Sequence, residues 1–307
     1  MPKTKPGLTL VSVDWDFFIW NGGEARGKIT VHPNTEEERE ITAAFLFDWG
    51  HSEAHTGVLG EILWMGRFAH AYRLGLDLEK ICGIRPEMGC VQPGSFLEEI
   101  QKRFNFKTAE GTWLGDSHAY GMPTIGKLSV QPIKVVSFDA HHDLGYGSEE
   151  VDRQTKKGHC DCGSWLYHAL RLGYVQRAEI VYPDWKGKVE WKDSYGAEHL
   201  KPLRRRIRAF TWSEWLEKAG NDFAVGLFMC RSSAWTPPWL DEKFRIFTKD
   251  AEVGKSVCWD CEDDLDVKIG AYDACTPRSW DRKAYLEYAE QDANVLEEMR
   301  RKCSGRK

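Results

Sequence analysis

The chain has 307 residues, 42% of them hydrophobic and 29% charged, enough apolar material for a sizeable core and too much for wholesale disorder. Its 42 basic against 47 acidic residues leave a formal net charge of −5, which argues against a general nucleic-acid or membrane-surface binder. Nine cysteines, a polar N-terminus (Met1 to Gly7) and no apolar run of spanning length predict a cytoplasmic protein with reduced thiols.

The first predicted element is a strand over Leu8 to Val13, alternating and β-branched, which ends in Asp14-Trp15-Asp16. Residues two apart on a strand share a face, so both carboxylates aim at one point. A loop follows, with a turn at Asn21-Gly22-Gly23 and an acidic stretch at 35–40. His51, Glu53 and His55 precede a helix expected from Leu59 to Tyr72; they read either as pocket-lining residues, His51 foremost, or as a cap and solvated loop. A capped helix is expected over Ser95 to Arg103, then a strand-to-loop transition carrying Asp116 and His118.

The centre of the chain is Lys134 to Tyr146. Val135, Val136 and Phe138 read as a short buried strand, and Asp139, His141, His142 and Asp143 follow at once, before Gly145 and Gly147 turn the chain away. Acids and imidazoles at a buried strand end are costly without a partner, and a cation supplies one. Carboxylate oxygen and neutral imidazole suit Mn²⁺ or Zn²⁺. Parallel strands bring their C-terminal ends to one edge, so Asp14 and Asp16 are expected to meet this second cluster there.

Beyond it come a loop with His159, Cys160 and Cys162, a helix from Ser164 to Leu172, and a strand at Glu179 to Tyr182. A charged, Trp-rich excursion is expected near 185–210, with the basic run Arg204 to Arg208 as a solvated edge. A short helix over Thr211 to Lys218 and a strand over Ala224 to Cys230 lead into the Pro-stiffened loop Arg231 to Trp239, whose Ser232, Ser233, Trp235 and Thr236 are candidates for shaping a substrate pocket. Residues 250–279 read as irregular and acidic, and a terminal helix is expected over 280–302. The alternation of strand and helix predicts a single α/β/α domain, three-layered, with a mostly parallel sheet.

Asp139-Ala140-His141-His142-Asp143 resembles the D-A-H-x-D motif of the arginase/ureohydrolase superfamily, whose fold also serves deacetylase-like amidohydrolases. Gly115-Asp116-Ser117-His118 is similar to that family's G-G-D-H segment, and Ser12-Val13-Asp14-Trp15-Asp16 to its S-x-D-x-D segment. Cys162-Gly163-Ser164-Trp165 is similar to a segment of the UPF0489-type arginase-like proteins. The resemblance implies an arginase/deacetylase-like fold and a two-metal site, Mn²⁺ or Zn²⁺. His118, Asp139, Asp143 and Asp14 would hold one ion, and His141, Asp139, Asp14 and Asp16 the other. In arginases the D-x-D segment follows D-A-H-x-D; here it precedes it, which implies a permuted strand order.

The expected chemistry is hydrolysis of a C–N bond in a small guanidino or amide substrate, or in a modified residue, by hydroxide generated at the ions. His142 and His159 are the candidate proton shuttles, each with an alternative role steadying a ligand carboxylate. Three other readings stay open. One is a single-zinc deacetylase-like enzyme. Another is a phosphatase of the haloacid-dehalogenase type using Asp14 and Asp16, with Asp263 and Asp264 as later acids. The third is a non-enzymatic module stapled by zinc through Cys160, Cys162, Cys258 and Cys261.

Overall fold

The computed structural model describes residues 8–20, 56–73, 75–261 and 273–304. The turn at 21–23, the acidic stretch at 35–40, His51, Glu53, His55, Asp263 and Asp264 lie outside them. Eight strands form one sheet: β1 (Leu8–Asp14), β2 (Phe104–Asn105), β3 (Gly111–Gly115), β4 (Ile133–Phe138), β5 (Val175–Tyr182), β6 (Ile207–Thr211), β7 (Asp222–Cys230) and β8 (Lys255–Cys258). Their order is β6-β5-β4-β1-β7-β3-β8, with β2 pairing β7, and every strand pair is parallel.

Strand alternation splits the apolar residues between two cores. Val11, Val13, Val136 and Phe138 face one core with Phe68 of α1 (Thr56–Arg73), Phe96 of α3 (Pro93–Arg103), Trp212 of α8 (Trp212–Lys218), Phe244 of α9 (Asp241–Ala251) and Tyr285 of α10 (Arg282–Ser304). The short α2 (Leu78–Ile81) adds Leu78. Leu10, Val135, Ile180 and Phe228 face the other, with Ile125 of α4 (Gly121–Lys127), Val151 of α5 (Ser148–Lys157) and Leu166 of α6 (Trp165–Leu172). Helices therefore cover both faces of a parallel sheet, the three-layer α/β/α arrangement that the strand–helix alternation predicts. Burial of this kind stabilises by about 25 cal/mol per Å² of apolar area removed from water.

Several local expectations change. The two edge strands are longer-range features than the sequence pattern reveals: β6 begins inside the basic run, and β8 lies within the stretch read as irregular. The excursion therefore ends at Arg206, where Arg204–Arg206 make a 3₁₀ turn and Arg206 donates to the Gln176 carbonyl at 2.9 Å. Within it lies α7 (Val189–Ser194). Residues 148–157, partly read as loop, are α5, which ends on Gly158 in the left-handed conformation. Thr211 caps α8 through a full capping box with Glu214, as its position before Trp212 predicts. No helix among the described residues is long and apolar enough to cross a membrane.

Candidate metal centre

Four strands deliver the site at their C-terminal ends. β1 lies between β4 and β7, and in register Val13 pairs with Phe138 and Asp14 with Cys230. β3 follows on the far side of β7, with Gly115 opposite Cys230. Asp14 ends β1, Asp139 follows β4, Ser232 follows β7 and His118 follows β3. Residues more than a hundred positions apart thus share one edge, where parallel sheets place their ligand sites.

The carboxylates reach a common point by turns rather than by strand alternation. Asp14 caps the 3₁₀ helix Trp15–Phe18, its Oδ1 accepting from the Asp16 amide at 3.1 Å. Asp16 Oδ1 accepts from the Ala140 amide at 3.1 Å, tying β1 to the loop after β4. Asp139 Oδ1 accepts from the His141 amide at 2.7 Å. Each acid thus has one oxygen fixed by a backbone N–H, and the second oxygens of Asp16 and Asp139 are buried with no hydrogen-bond partner.

Those second oxygens surround two imidazoles. His118 Nδ1 stands 2.7 Å from Asp143 Oδ2, 3.0 Å from Asp139 Oδ2 and 3.3 Å from Asp14 Oδ2, and it too is buried without a hydrogen-bond partner. His141 Nδ1 lies 2.9 Å from Asp16 Oδ2 and 3.6 Å from Asp139 Oδ1. Ligands bound at about 2.0–2.2 Å and at right angles around one ion are themselves about 3 Å apart. The spacing here matches that, and orphaned polar atoms at such distances are what a cation would satisfy. Asp14, His118 and Asp139 form one group able to hold a metal ion, and Asp16, Asp139 and His141 a second, with Asp139 in both.

Electrostatics agree with a cluster short of positive charge. Burial pushes Asp14 well above the usual carboxylate range, reinforced by Asp16 and Asp139. Burial, with Asp139 beside it, raises Asp143 to about 7. Burial opposes charge on His118, but Asp143 and Asp139 outweigh it and hold the imidazole well above its ordinary value. Burial also opposes charge on His141, and Asp16 and Asp139 again win. Asp139, flanked by both imidazoles, is lowered despite its burial. Like charges crowd this edge until protons or another cation bind there.

The surrounding shell is firm. Ser12 Oγ, buried on β1, sits 2.7 Å from His118 Nε2 and fixes the ring. Trp165 Nε1 donates to Asp143 Oδ2 at 2.7 Å. Asp143 and Ser232 both hold positive φ, 53° and 52°, a costly conformation for non-glycine residues that often accompanies functional loops. Gly145 at φ 80° meets the same need next door, and a Cβ there would come within 2.2 Å of Val151.

The expected pocket residues divide. Ser232 Oγ donates to Asp14 Oδ2 at 2.5 Å and Ser233 Oγ to Asp116 Oδ2 at 2.6 Å, so both position the acids or their supports. Arg231, fully buried, bonds Asp116 at 2.8 Å and Asp241 at 3.3 Å, and Thr236 Oγ1 donates back to the Arg231 carbonyl. Trp235 is half-buried with its ring 5.3 Å from that of His141.

The two shuttle candidates fare differently from the expectation. His142 is buried, and its Nδ1 accepts from the Leu144 amide at 3.0 Å while Nε2 meets Ser194 Oγ at 2.9 Å. It is thereby held as the neutral Nε2–H tautomer, and burial lowers its pKa to about 4. His159 is exposed beyond the end of α5 and is not part of the cluster.

The excursion contributes a group that sequence reasoning missed. Glu190 of α7 has a buried, unpartnered Oε2, with Lys186 Nζ 3.6 Å from it. Burial pushes this carboxyl up, but the charges of His141, Lys186 and His142 outweigh it and hold it below its ordinary value. Tyr182, at the end of β5, is buried with an unpartnered hydroxyl, and burial and then Glu190 raise its pKa. A Glu eight residues past a strand end, within a charged stretch, carries no local signal; only the fold of that excursion brings it within electrostatic reach of His141. Compared with protein-family models, curated proteins and solved structures, the chain finds no match in any of the three.

Proposed function

We propose that the protein is a metal-dependent hydrolase acting on a C–N bond, of a guanidino or amide substrate, at a dinuclear site. The observation that carries this reading is Asp139, whose two oxygens belong to two imidazole-centred groups at once, Oδ2 with His118 and Oδ1 with His141. A single carboxylate in that position can bridge two ions. Asp14, His118 and Asp143 would complete one ligand set, and Asp16 with His141 the other. Oxygen and imidazole donors, with no thiol among them, favour Mn²⁺, with Zn²⁺ as the other candidate. Two such ions, if held there, would lower the pKa of a bound water and so supply hydroxide at neutral pH. The choice of a C–N bond rests on the likeness of Asp139 to Asp143 to the ureohydrolase motif.

The chain's own residues have separable tasks. Ser12 and Trp165 orient His118 and Asp143. Ser232 orients Asp14. Glu190, held below its ordinary pKa by the charges of His141, Lys186 and His142, would accept a proton and return it to the leaving nitrogen; His142, tied at both nitrogens to Ser194 and the Leu144 amide, would not. Trp235 and the half-exposed Tyr146, stacked 4.5 Å over His142, offer flat apolar faces to a planar guanidinium or amide.

The test is metal analysis followed by assay of the purified protein, reconstituted with Mn²⁺ or Zn²⁺, against a panel of guanidino and N-acyl compounds. Release of urea, ammonia or free amine that depends on the metal and disappears in the Asp139→Ala protein is expected. If wild type and an Asp139→Ala/His141→Ala variant bind the same amount of added Mn²⁺ and none of the panel is cleaved, the reading fails.

A further inference from the structure

A second group of ligand-type side chains sits at the β8 edge of the sheet. β8 ends at Cys258, and the 3₁₀ turn Trp259–Cys261 carries Cys261. Asp273 and Cys275 return to the same place. One donor atom from each of Cys258, Cys261, Asp273 and Cys275 lies within 4.8 Å of all the others. This corrects the pairing expected for Cys258 and Cys261: their companions are Cys275 and Asp273, and Cys160 and Cys162 are not in the group.

The donor set differs in kind from the strand-end cluster. Three of the four donors are thiols, soft as thiolates, which select zinc over manganese or magnesium, and zinc also accepts a carboxylate oxygen as its fourth ligand. In a tetrahedral site with Zn–S near 2.3 Å, neighbouring sulfurs are about 3.8 Å apart, so a small inward closing of these side chains completes the tetrahedron. The Cys-x-x-Cys spacing places two thiols of one turn on the same ion. Asp273 is already aimed: its Oδ1 accepts from the Cys275 amide at 2.7 Å, its Oδ2 accepts from Thr276 Oγ1 at 2.7 Å, and Cys258 Sγ lies 3.4 Å from Oδ1. Four protein donors leave no open position, which marks a structural rather than a catalytic ion.

The residues between these donors hold the loops of the strand-end site. Asp260 Oδ2 accepts from the Asp116 amide at 2.8 Å and the Ala274 amide at 3.3 Å, joining β8's end to the loop that carries His118. Trp259 donates to Thr124 Oγ1 at 2.8 Å, and its ring lies parallel to that of Tyr120, 6.3 Å away. On the other side the Thr276 carbonyl accepts from Arg231 at 2.7 Å, and Arg278 clamps Asp241 and the Ser233 carbonyl. We propose that Cys258, Cys261, Asp273 and Cys275 bind one structural Zn²⁺ that staples the β8 edge to the loops carrying His118 and Arg231.

The experiment uses the full chain, purified under reducing conditions without added metal. Elemental analysis is expected to find zinc of which Cys261→Ser and Cys275→Ser each lose one equivalent per chain, an equivalent that Asp139→Ala keeps whatever the strand-end site holds. Cobalt substitution is expected to give a thiolate-to-cobalt charge-transfer absorption, absent from both serine variants. A measurement on wild type needs no variant: alkylation of the exposed Cys261 and Cys275, mapped by mass spectrometry, should be slow as purified and become at least tenfold faster after chelation. Zinc content unchanged in both serine variants, alkylation equal before and after chelation, or a Cys258–Cys261 disulfide in the reduced preparation would each overturn the proposal. None of these readouts depends on hydrolase activity, so this site and the strand-end site can fail separately.

Discussion

Toward the N-terminal ends of the strands, Lys134 lies between Glu179 at 3.0 Å and Asp222 at 2.8 Å. At the C-terminal ends of the same sheet, the ion-pair partners of Asp14, Asp16, Asp139 and Asp143 among the described residues are His118 and His141. The first group is partly exposed, so water screens its one excess carboxylate. The second is almost wholly buried, holds two more acids than imidazoles, and leaves Asp16 Oδ2, Asp139 Oδ2 and His118 Nδ1 unbonded. A closed ion pair is part of the scaffold. A buried, over-acidic one favours taking up protons or a further cation, because isolated buried charge is expensive. The difference between the two ends is the physical case for a binding site at one of them.

The sharpest way to break this contrast is to remove the shared acid. Asp139→Ala should lower affinity for Mn²⁺ by about a thousandfold or more and abolish metal-dependent hydrolysis, read by calorimetry and by product release. Loss of activity with unchanged metal affinity would place Asp139 outside the ligand set. Ser12→Ala frees His118 Nε2 and should cost about 10–100-fold in metal affinity, with the fold intact by circular dichroism.

Stability should move in opposite directions at the two ends. In metal-free protein at pH 8, Asp143→Asn removes a carboxylate whose ionisation burial disfavours, while an amide oxygen can still accept from Trp165. It should raise stability by on the order of 1–2 kcal/mol in urea unfolding. Lys134→Ala leaves Glu179 and Asp222 facing each other and should lower stability by about 1 kcal/mol, the partial exposure screening the loss. Destabilisation by both would remove the distinction.

The pH dependence follows from the same acids. Asp143 has its folded pKa raised from 3.8 to about 7, so the stability it contributes is full below its unfolded pKa and is lost as pH rises through about 7. His118, His141 and Asp14 are raised too and act with the same sign. Asp139 is lowered, so its contribution is present above its ordinary range and is lost on acidification. Chelator-treated protein should therefore melt at lower temperature at about pH 8 than at about pH 6, and saturating Mn²⁺ should reverse that trend because ligand protons no longer compete. Thermal scans at the two pH values, with and without metal, check this; a metal-free melting temperature that rises over the interval would count against the over-acidic cluster.

Much of the site was legible in local pattern. Apolar, β-branched runs at Leu8 to Val13 and Val135 to Phe138, each ending in acids, identified the strand ends, and the parallel-sheet rule brought them together. Strand alternation does not aim Asp16: the 3₁₀ turn that starts at Trp15 does, because Asp14 is the last residue of β1. His142 looked equivalent to His141 in sequence, yet the turn after β4 sends it to Ser194 instead. The edge strands β6 and β8 were not legible, since an edge strand can be charged or short and still be held by one neighbour.

Periodicity, β-branching and the identity of a residue after a strand act over a few positions, so local sequence carries the layer architecture and the chemical character of the strand ends. The pairings arise with the folded chain: His118 with Asp143, Glu190 in reach of His141, and Cys275 with Cys258 and Cys261. Those meetings depend on strand order and on loop paths. Both are settled by how the whole chain buries its apolar surface, which no short window of sequence contains.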